Sequence, residues 1–226
     1  MLARDFFGIK PVYYAEIDGH FVFASEIKSI LAFPGYERKV NQKALEQYLS
    51  FQYSPLEETF FKGIYKLMPG HMLLYKNGSY EIKTYFKPKL TPGQWDHKTN
   101  MAQLRSQLSE ILKDSVKHHM LSDVEVGAFL SGGVDSGYLA SSSGADQAFT
   151  VGFDEGDRYS EVNKAAKVAE KAGLKHHVKI ISKQEFWDAL PDVMYHMDEP
   201  LGDASAVALL SLIHISEPTR LGMISY

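Results

Sequence analysis

The chain contains 226 residues, 45% of them hydrophobic and 23% charged, which is the balance of a globular protein rather than a disordered one. Its formal net charge of −4 leaves no excess of lysine and arginine to neutralise phosphates, and no apolar run is long enough to span a bilayer. Because the chain contains no cysteine, it has no disulfide, no thiolate metal ligand and no cysteine nucleophile. We expect a soluble, cytoplasmic protein that binds neither nucleic acid nor a membrane.

Residues 1–86 have the pattern of a mostly β domain. Two hairpins are predicted around Asp18-Gly19 and Asn77-Gly78, because both dipeptides readily adopt the positive φ angles of tight turns. A helix is predicted between the hairpins, with Asn41 as its N-cap. One face of this helix carries Leu45, Tyr48 and Leu49.

Residues 87–100 are polar and show no apolar period, as is typical of an interdomain linker. A second domain is predicted over residues 101–212, where helices and strands alternate. Its predicted elements are a helix from Met101 to Val116, a strand over Val124–Leu130, a helix from Asp135, a strand over Ala148–Phe153, a helix over Ser160–Ala172 that ends at Gly173, a strand over His177–Ile181, and a helix after a Ser182–Glu185 capping box. Pro191 should end or restart this last helix, because it lacks the N–H that the preceding turn requires.

The alternation of strands and helices implies crossover connections and a parallel sheet. The predicted fold class is therefore α/β, with a doubly wound parallel-sheet domain preceded by a β-rich domain. In such sheets, ligands bind beyond the carboxyl ends of the strands.

The sequence SGGVDS, Ser131 to Ser136, lies where a predicted strand passes into a helix. Its two glycines let successive backbone N–H groups approach an anion closely, and the helix start adds the positive end of its dipole. The two serine hydroxyls offer further donors. The pattern predicts a phosphate site. Asp135 would repel a bare phosphate, so its presence favours a Mg²⁺ ion between the carboxylate and the phosphate.

The same six residues also admit a simpler interpretation. Neither Gly-x-Gly-x-x-Gly nor Gly-Lys-Ser/Thr occurs here, which excludes the common dinucleotide-binding and Walker-type loops at this position. A tight strand-to-helix turn that is rich in glycine and serine for packing reasons alone has the same spacing. The spacing does not separate the two interpretations.

Several separated segments of the chain carry a resemblance to one family. LARDFFGIKPVYYA, FVFASEIKSIL and KLMPGHMLLYKNG resemble the later part of the glutaminase domain, of the N-terminal nucleophile type, in bacterial-type glutamine-hydrolysing asparagine synthetases. GAFLSGGVDSGYLA, FTVGFDEGDRYSE and YHMDEPLGDASAVA resemble the ATP-pyrophosphatase domain of that family, and SGGVDS is similar to its pyrophosphate loop. The resemblance covers about residues 1–210. It implies a partial glutaminase domain over residues 1–86 and a partial synthetase domain over residues 101–212.

The resemblance implies ATP and Mg²⁺ as cofactors, with aspartate and glutamine or ammonia as substrates. Aspartate and ATP would form a β-aspartyl-adenylate with release of pyrophosphate, and ammonia would then attack the activated carbonyl. Asp135 is the implied catalytic residue, directed toward Mg²⁺. The residues implied to bind the nucleotide are Leu130 beneath it, Ser131, Gly132, Gly133, Asp135 and Ser136 at the pyrophosphate, and Val151, Gly152 and Phe153 beside the adenine and ribose. The resemblance is also compatible with a homodimer of the full-length enzyme.

The acidic residues of DEPLGD have two interpretations. Asp198, Glu199 and Asp203 either lie near the aspartate and metal region, or belong to an exposed turn in which Asp198 or Asp203 caps the following helix.

Two other polar clusters are not predicted to carry chemistry. His176 and His177 are adjacent and point to different sides of a strand, so surface or core positions explain them better than a shared metal. Glu26-Ile27-Lys28 is expected to be solvated or packed.

Two departures from the family are expected to limit this chain. The family's glutaminase uses an amino-terminal cysteine nucleophile, which this chain lacks, and Met1–Asp5 resembles the middle of that domain. The resemblance ends near Leu210, and residues 213–226 resemble a translated library adapter, so we predict a non-native tail there. The expected result is an inactive fragment of the enzyme.

Two further functions fit the same residues. One is a related adenylating amidotransferase with another acceptor, and the other is a non-catalytic nucleotide-binding module.

Overall fold

The computed structural model describes residues 1–89, 100–154, 161–200, 202–203 and 205–216. These residues form two compact units. The first contains residues 1–89 and the described residues of Met194–Gly202, and the second contains the other described residues. Most of the predicted linker lies outside the described residues. Among the helices in the described part of the chain, none is both long and apolar enough to cross a membrane.

The first unit is built mainly from antiparallel strands. Its elements are β1 (Leu2–Ala3), β2 (Tyr13–Ile17), β3 (His20–Ala24), α1 (Ile27–Leu31), α2 (Gln42–Phe51), β4 (Ile64–Lys66), β5 (His71–Lys76) and β6 (Ser79–Thr84). Two three-stranded sheets form, with strand orders β1-β5-β6 and β3-β2-β4. Both predicted hairpins are confirmed, because β2 pairs with β3 and β5 pairs with β6. Asp18, Gly19, Asn77 and Gly78 all have positive φ, as the tight turns require.

The strand β2 contributes to two apolar clusters, because successive strand residues point to opposite faces of a sheet. Tyr14 packs with Leu73 of β5, whereas Ala15 and Ile17 pack with Ile27 of α1. The β3-β2-β4 sheet is therefore covered by the other sheet on one face and by α1 on the other.

The helix α2 begins where the sequence predicts, but the predicted side-chain cap at Asn41 does not form. The side-chain amide of Asn41 donates to the Thr59 carbonyl at 3.1 Å, so it leaves the first helical N–H groups uncapped. Ala44 is the buried residue of α2, and Leu49 is 75% exposed. A helical period gives the relative orientation of residues, not the side that the core occupies, so it did not indicate that Leu49 is exposed.

The second unit alternates helices with parallel strands. Its elements are α3 (Met101–His119), β7 (Gly127–Phe129), α4 (Val134–Ser143), β8 (Gln147–Phe153), α5 (Val162–Ala172), β9 (Lys175–Ile181), α6 (Lys183–Met197), whose last residues belong to the first unit, and α7 (Ser205–Ser216). The strands β7, β8 and β9 pair in parallel and in chain order. This confirms a mixed α/β fold. Because the strand order does not reverse within the described residues, the doubly wound arrangement stays a prediction.

The helix boundaries of the second unit follow local sequence signals, with one exception. Gly173 ends α5 in the left-handed conformation, and Ser182 and Glu185 exchange the two hydrogen bonds of a capping box before α6. The prediction for Pro191 was wrong, since α6 runs through it without a break. A proline removes one helical hydrogen bond, and here the helix is held by its capping box before Pro191 and by the buried side chain of Val193 after it.

The helix α7 extends to Ser216 and so includes the first four residues of the predicted tail. Residues 217–226 lie outside the described part of the chain. The non-native tail over residues 213–226 therefore stays a prediction.

Candidate nucleotide site

The SGGVDS segment connects the end of β7 to the start of α4, as predicted. Leu130 is 2% exposed and packs among alanines of α4, β8 and α5, so it anchors the segment in the core. Gly133 is the N-cap of α4. The loop thus presents the first N–H groups of α4 at the carboxyl edge of a parallel sheet, where anions are bound favourably.

Gly132 is required by the packing of the loop. Its φ is +75°, and a Cβ at this position would lie 2.7 Å from Lys164 Cβ and 3.0 Å from the Ala165 nitrogen. A Cβ on Gly133 would meet nothing closer than the Ser131 hydroxyl, at 3.4 Å. The first glycine therefore permits the close approach of α5, and only the second leaves open space beside the loop.

The hydroxyls of Ser131 and Ser136 satisfy the loop from within. The two oxygens are 2.9 Å apart, and the Ser136 hydroxyl also accepts from the Ser131 N–H at 3.2 Å. The N–H of Gly133 points to the Ser131 hydroxyl at 3.4 Å. Because a phosphate oxygen carries negative charge, it is a stronger acceptor than a neutral hydroxyl and can replace these bonds. The arrangement fits an anion cradle whose donors are held by weak internal partners.

Asp135 lies in the first turn of α4 and is exposed. Within the described residues, its carboxylate has no hydrogen bond or ion pair, and no cluster of three or more metal-binding side chains is present. It also lines a cleft of about 490 Å³ between α3 and α4, together with Arg105, Leu108, Ser109, Leu112, Val134, Tyr138 and Leu139. A single free carboxylate fits Mg²⁺, which commonly takes one or two carboxylates and completes its shell with phosphate and water.

The predicted adenine and ribose residues lie at the same edge of the sheet. Val151, Gly152 and Phe153 end β8, and they extend past Phe129, the last residue of β7. Gly152 is buried, and the Phe153 ring lies 6.3 Å from the Phe186 ring. The topology therefore places these three residues at the edge of the sheet where the SGGVDS loop begins, and their role toward adenine and ribose stays a prediction.

Asp198 folds with the first unit and caps α1. Its carboxylate accepts from the Ile27 N–H at 2.6 Å and the Lys28 N–H at 3.2 Å, and it forms an ion pair with Lys28 at 3.0 Å. The Asp198 side chain is 6% exposed, and its φ is +62°. Neither interpretation from sequence described this arrangement, because its partners lie about 170 residues earlier in the chain.

Glu199 is also turned into the first unit. One of its oxygens accepts from the Phe60 N–H at 2.6 Å. Burial raises the pKa of Glu199, and the Phe60 N–H and the charge of Lys66 oppose this rise. Burial, with the charges of Glu199 and Asp198, raises the pKa of Tyr13 to about 12. These groups form a buried polar cluster within the first unit.

Asp203 and the histidines occupy structural positions. Asp203 accepts from the Ser205 N–H at 2.9 Å at the start of α7, which agrees with the cap interpretation for this residue. His177 pairs with the Gln147 side chain at 2.8 Å and stacks on Phe149, while His176 contacts Thr150.

The two halves of the chain match two protein families. Residues 1–86 match the glutamine amidotransferase domain family, and residues 107–215 match the asparagine synthase family. An asparagine synthetase [glutamine-hydrolyzing] of Bacillus subtilis is 38% identical over 212 residues, which are 92% of this chain and 33% of the relative. A Mycobacterium bovis protein, provisionally named asparagine synthetase [glutamine-hydrolyzing], is 35% identical over 216 residues. The match again covers 92% of this chain and 33% of the relative. An amidase of Penicillium rubens is 29% identical over 93% of this chain and 34% of the relative. The chain spans about a third of the length of these curated relatives.

Proposed function

We propose that the chain is part of an ATP-dependent ligase that makes asparagine from aspartate, with glutamine as nitrogen donor, because residues 1–86 match the glutamine amidotransferase domain family and residues 107–215 match the asparagine synthase family. The observation that carries this proposal is the loop after β7. In the described part of the chain, the N–H groups of Ser131 and Gly133 and the hydroxyls of Ser131 and Ser136 form hydrogen bonds only within the loop, at the carboxyl edge of a parallel sheet.

The proposed reaction activates the aspartate side chain. A carboxylate oxygen of aspartate attacks the α-phosphorus of ATP, the bond between that phosphorus and the bridging oxygen breaks, and pyrophosphate leaves. The nitrogen of ammonia then attacks the carbonyl carbon of the β-aspartyl-adenylate, AMP leaves, and the nitrogen loses a proton. No protein nucleophile takes part, so the chain's task is to position the nucleotide and to stabilise charge on the leaving pyrophosphate.

Each predicted loop residue has a role in this proposal. The N–H groups of Ser131, Gly132 and Gly133 and the hydroxyl of Ser136 bind the pyrophosphate oxygens. Asp135 would hold Mg²⁺, which supplies positive charge next to the leaving group. Leu130 supports the loop from below, and the nucleotide's adenine and ribose contact the end of β8, formed by Val151, Gly152 and Phe153.

The metal assignment is tested with Asp135→Ala in the 226-residue chain. Calorimetry should show that Mg·ATP binding loses its dependence on Mg²⁺, while metal-free ATP still binds, because the N–H groups remain. Asp192→Asn is the matched control, since it neutralises an exposed carboxylate on α6 in the same unit. Equal Mg²⁺ dependence in Asp135→Ala and in the unmodified chain would contradict the assignment.

The acceptor is tested with a panel of acids and the complete enzyme. Ammonia is the nitrogen source, so that the result does not depend on glutamine hydrolysis. Aspartate should stimulate pyrophosphate release. The match of residues 1–86 to the glutamine amidotransferase domain family, together with a relative whose name is not that of an asparagine synthetase, makes a related amidotransferase with another acceptor the second candidate. Release stimulated by another acid and not by aspartate would select that candidate, and nucleotide binding without any release would select a non-catalytic module.

A further inference from the structure

A chain of hydrogen bonds crosses the parallel sheet directly beneath the candidate phosphate loop. The Thr150 hydroxyl on β8 lies 2.7 Å from the Leu130 carbonyl oxygen and 2.7 Å from His176 Nε2 on β9. Thr150 is 1% exposed, and Leu130 is the residue that precedes the loop. Side chains from β8 and β9 thus reach the point at which the backbone leaves β7.

The direction of each bond follows from counting hydrogens. A hydroxyl has one hydrogen, and a carbonyl oxygen can only accept. The Thr150 hydroxyl must therefore donate to the Leu130 carbonyl, because two oxygens at 2.7 Å without a hydrogen between them would repel. His176 Nε2 must then carry a hydrogen and donate to Thr150. Burial and the adjacent His177 lower the pKa of His176, which favours the neutral ring. The bond to Thr150 then places the ring's single hydrogen on Nε2.

The peptide bond carries this constraint into the loop. The Leu130 carbonyl and the Ser131 N–H belong to one rigid planar unit and point in opposite directions. When Thr150 holds the carbonyl oxygen, the direction of the Ser131 N–H is fixed as well. That N–H is the first donor of the loop, and in the structure it points to the Ser136 hydroxyl at 3.2 Å.

We propose that Thr150 and His176 are positioning residues that aim the Ser131 N–H at the anion held by the loop. They do so by holding the Leu130 carbonyl on the opposite side of the same peptide plane. The role toward pyrophosphate rests on the proposed function, whereas the hydrogen-bond chain does not.

The test uses the ¹⁵N-labelled 226-residue chain without nucleotide. Thr150→Val has nearly the same shape but no hydroxyl, and it should move the Ser131 amide resonance. Thr150→Ser keeps the hydroxyl, so in this variant the Ser131 amide resonance should stay close to its position in the unmodified chain. An unmoved Ser131 resonance in Thr150→Val would overturn the proposal, and so would an equal displacement in both variants, which would indicate packing rather than hydrogen bonding.

Two measurements examine His176. In the unmodified chain, the imidazole ¹⁵N shifts should show a neutral ring protonated at Nε2, and protonation at Nδ1 alone would overturn the proposal whether or not any variant folds. His176→Leu should displace the Ser131 resonance more than His176→Gln, whose side-chain amide can still donate. His177→Gln is the matched control on the opposite face of β9 and should leave the resonance in place; equal displacement there would count against the proposal.

Binding of inorganic pyrophosphate with Mg²⁺ then tests the functional part. Thr150→Val should bind about tenfold more weakly, the effect of misaligning one donor to a charged acceptor, and Thr150→Ser should regain most of the affinity. Unchanged affinity in Thr150→Val would overturn the positioning role. If the unmodified chain does not bind pyrophosphate, the proposed function fails, and the Ser131 resonance still decides whether the hydrogen-bond chain aims the loop.

Discussion

Two polar segments, SGGVDS at Ser131–Ser136 and the Asp198-Glu199 pair, differ in the partners of their polar groups. In the SGGVDS segment, donors and hydroxyls stay at the surface and bond to each other over 2.9–3.4 Å. The Asp198-Glu199 pair turns its carboxylates inward and accepts from backbone N–H groups at 2.6 Å. The sequence predicted a phosphate site for the SGGVDS segment, and it left two interpretations for the acidic pair, a place near the aspartate and metal region or an exposed turn. Only the SGGVDS segment keeps groups that a ligand can reach.

The difference lies in what replaces water around each polar group. A buried carboxylate must find donors inside the protein, since leaving it unpaired costs several kcal/mol, on the order of 3–5 when a buried partner is lost. An exposed hydroxyl or N–H can exchange a weak partner for a ligand at little cost. We expect the Asp198-Glu199 pair to respond to mutation in stability, and the SGGVDS loop to respond mainly in ligand binding.

The largest expected effect is that of Asp198→Ala. This change removes the acceptor of the Ile27 and Lys28 N–H groups and the partner of the Lys28 ammonium, so the first unit should lose about 2–3 kcal/mol of stability. Hydrogen exchange at the Ile27 and Lys28 amides should accelerate accordingly. Asp198→Asn keeps an acceptor and tolerates the positive φ, so its loss should be smaller. Unchanged exchange at both amides would contradict the assigned structural role.

Gly132→Ala tests the other side of the comparison. The new Cβ would meet the backbone of α5 and the residue would have to keep a φ of +75°, so we expect a loss of about 2 kcal/mol in the second unit and weaker Mg·ATP binding. Thermal unfolding and calorimetry measure the two effects. Gly133→Ala is the control for stability alone, because its φ is −76° and its surroundings are open. Were both variants equally damaged, the close approach of α5 would not be the reason.

Loss of the exposed capping box before α6 should cost less stability than Asp198→Ala or Gly132→Ala. Ser182→Ala removes the hydroxyl that accepts from the Glu185 N–H at 3.2 Å, and loss of such a cap costs about 1 kcal/mol. Denaturant unfolding of the second unit measures the change. Ser141→Ala is a suitable control, since among the described residues its hydroxyl bonds only to the Gly137 carbonyl within α4. A loss no larger than that of the control would show that this capping box contributes little.

The smallest effect is a pH dependence from Glu199. Because the pKa of Glu199 is raised by burial, the folded protein holds this proton more tightly than the unfolded chain does. Its contribution to stability therefore falls as the pH rises from about 4.5, the ordinary value, through the raised pKa. Glu199→Gln lacks this titration and can still accept from the Phe60 N–H. Stability curves of the two proteins that stay parallel over this range would refute the buried, protonatable state of Glu199.

Local signals predicted much of the fold. The dipeptides Asp18-Gly19 and Asn77-Gly78 fixed two hairpins, and Gly173 fixed the end of a helix, because each of these depends on φ angles that few residues adopt. The predictions that failed, at Asn41 and Pro191, concern a side chain that bonds to another segment and a helix that is supported by neighbouring turns. These depend on packing between segments that are distant in the chain.

The candidate site also combines features that the sequence predicted with features that it did not indicate. The strand, the loop glycines and the helix start were predictable from Leu130–Ser136, since the spacing of small residues after an apolar run limits the backbone to a few conformations. No sequence signal indicated Thr150 and His176 beneath the loop, because their hydrogen bonds cross three strands and depend on the register of the sheet.

The sequence by itself determined that this protein has an exposed, glycine-containing turn between a strand and a helix, because backbone sterics act between neighbouring residues. Only the tertiary structure decided which polar groups remain accessible at that turn and which, like Asp198, become buried acceptors. The physical reason is that desolvation and hydrogen-bond pairing are settled when distant segments pack together.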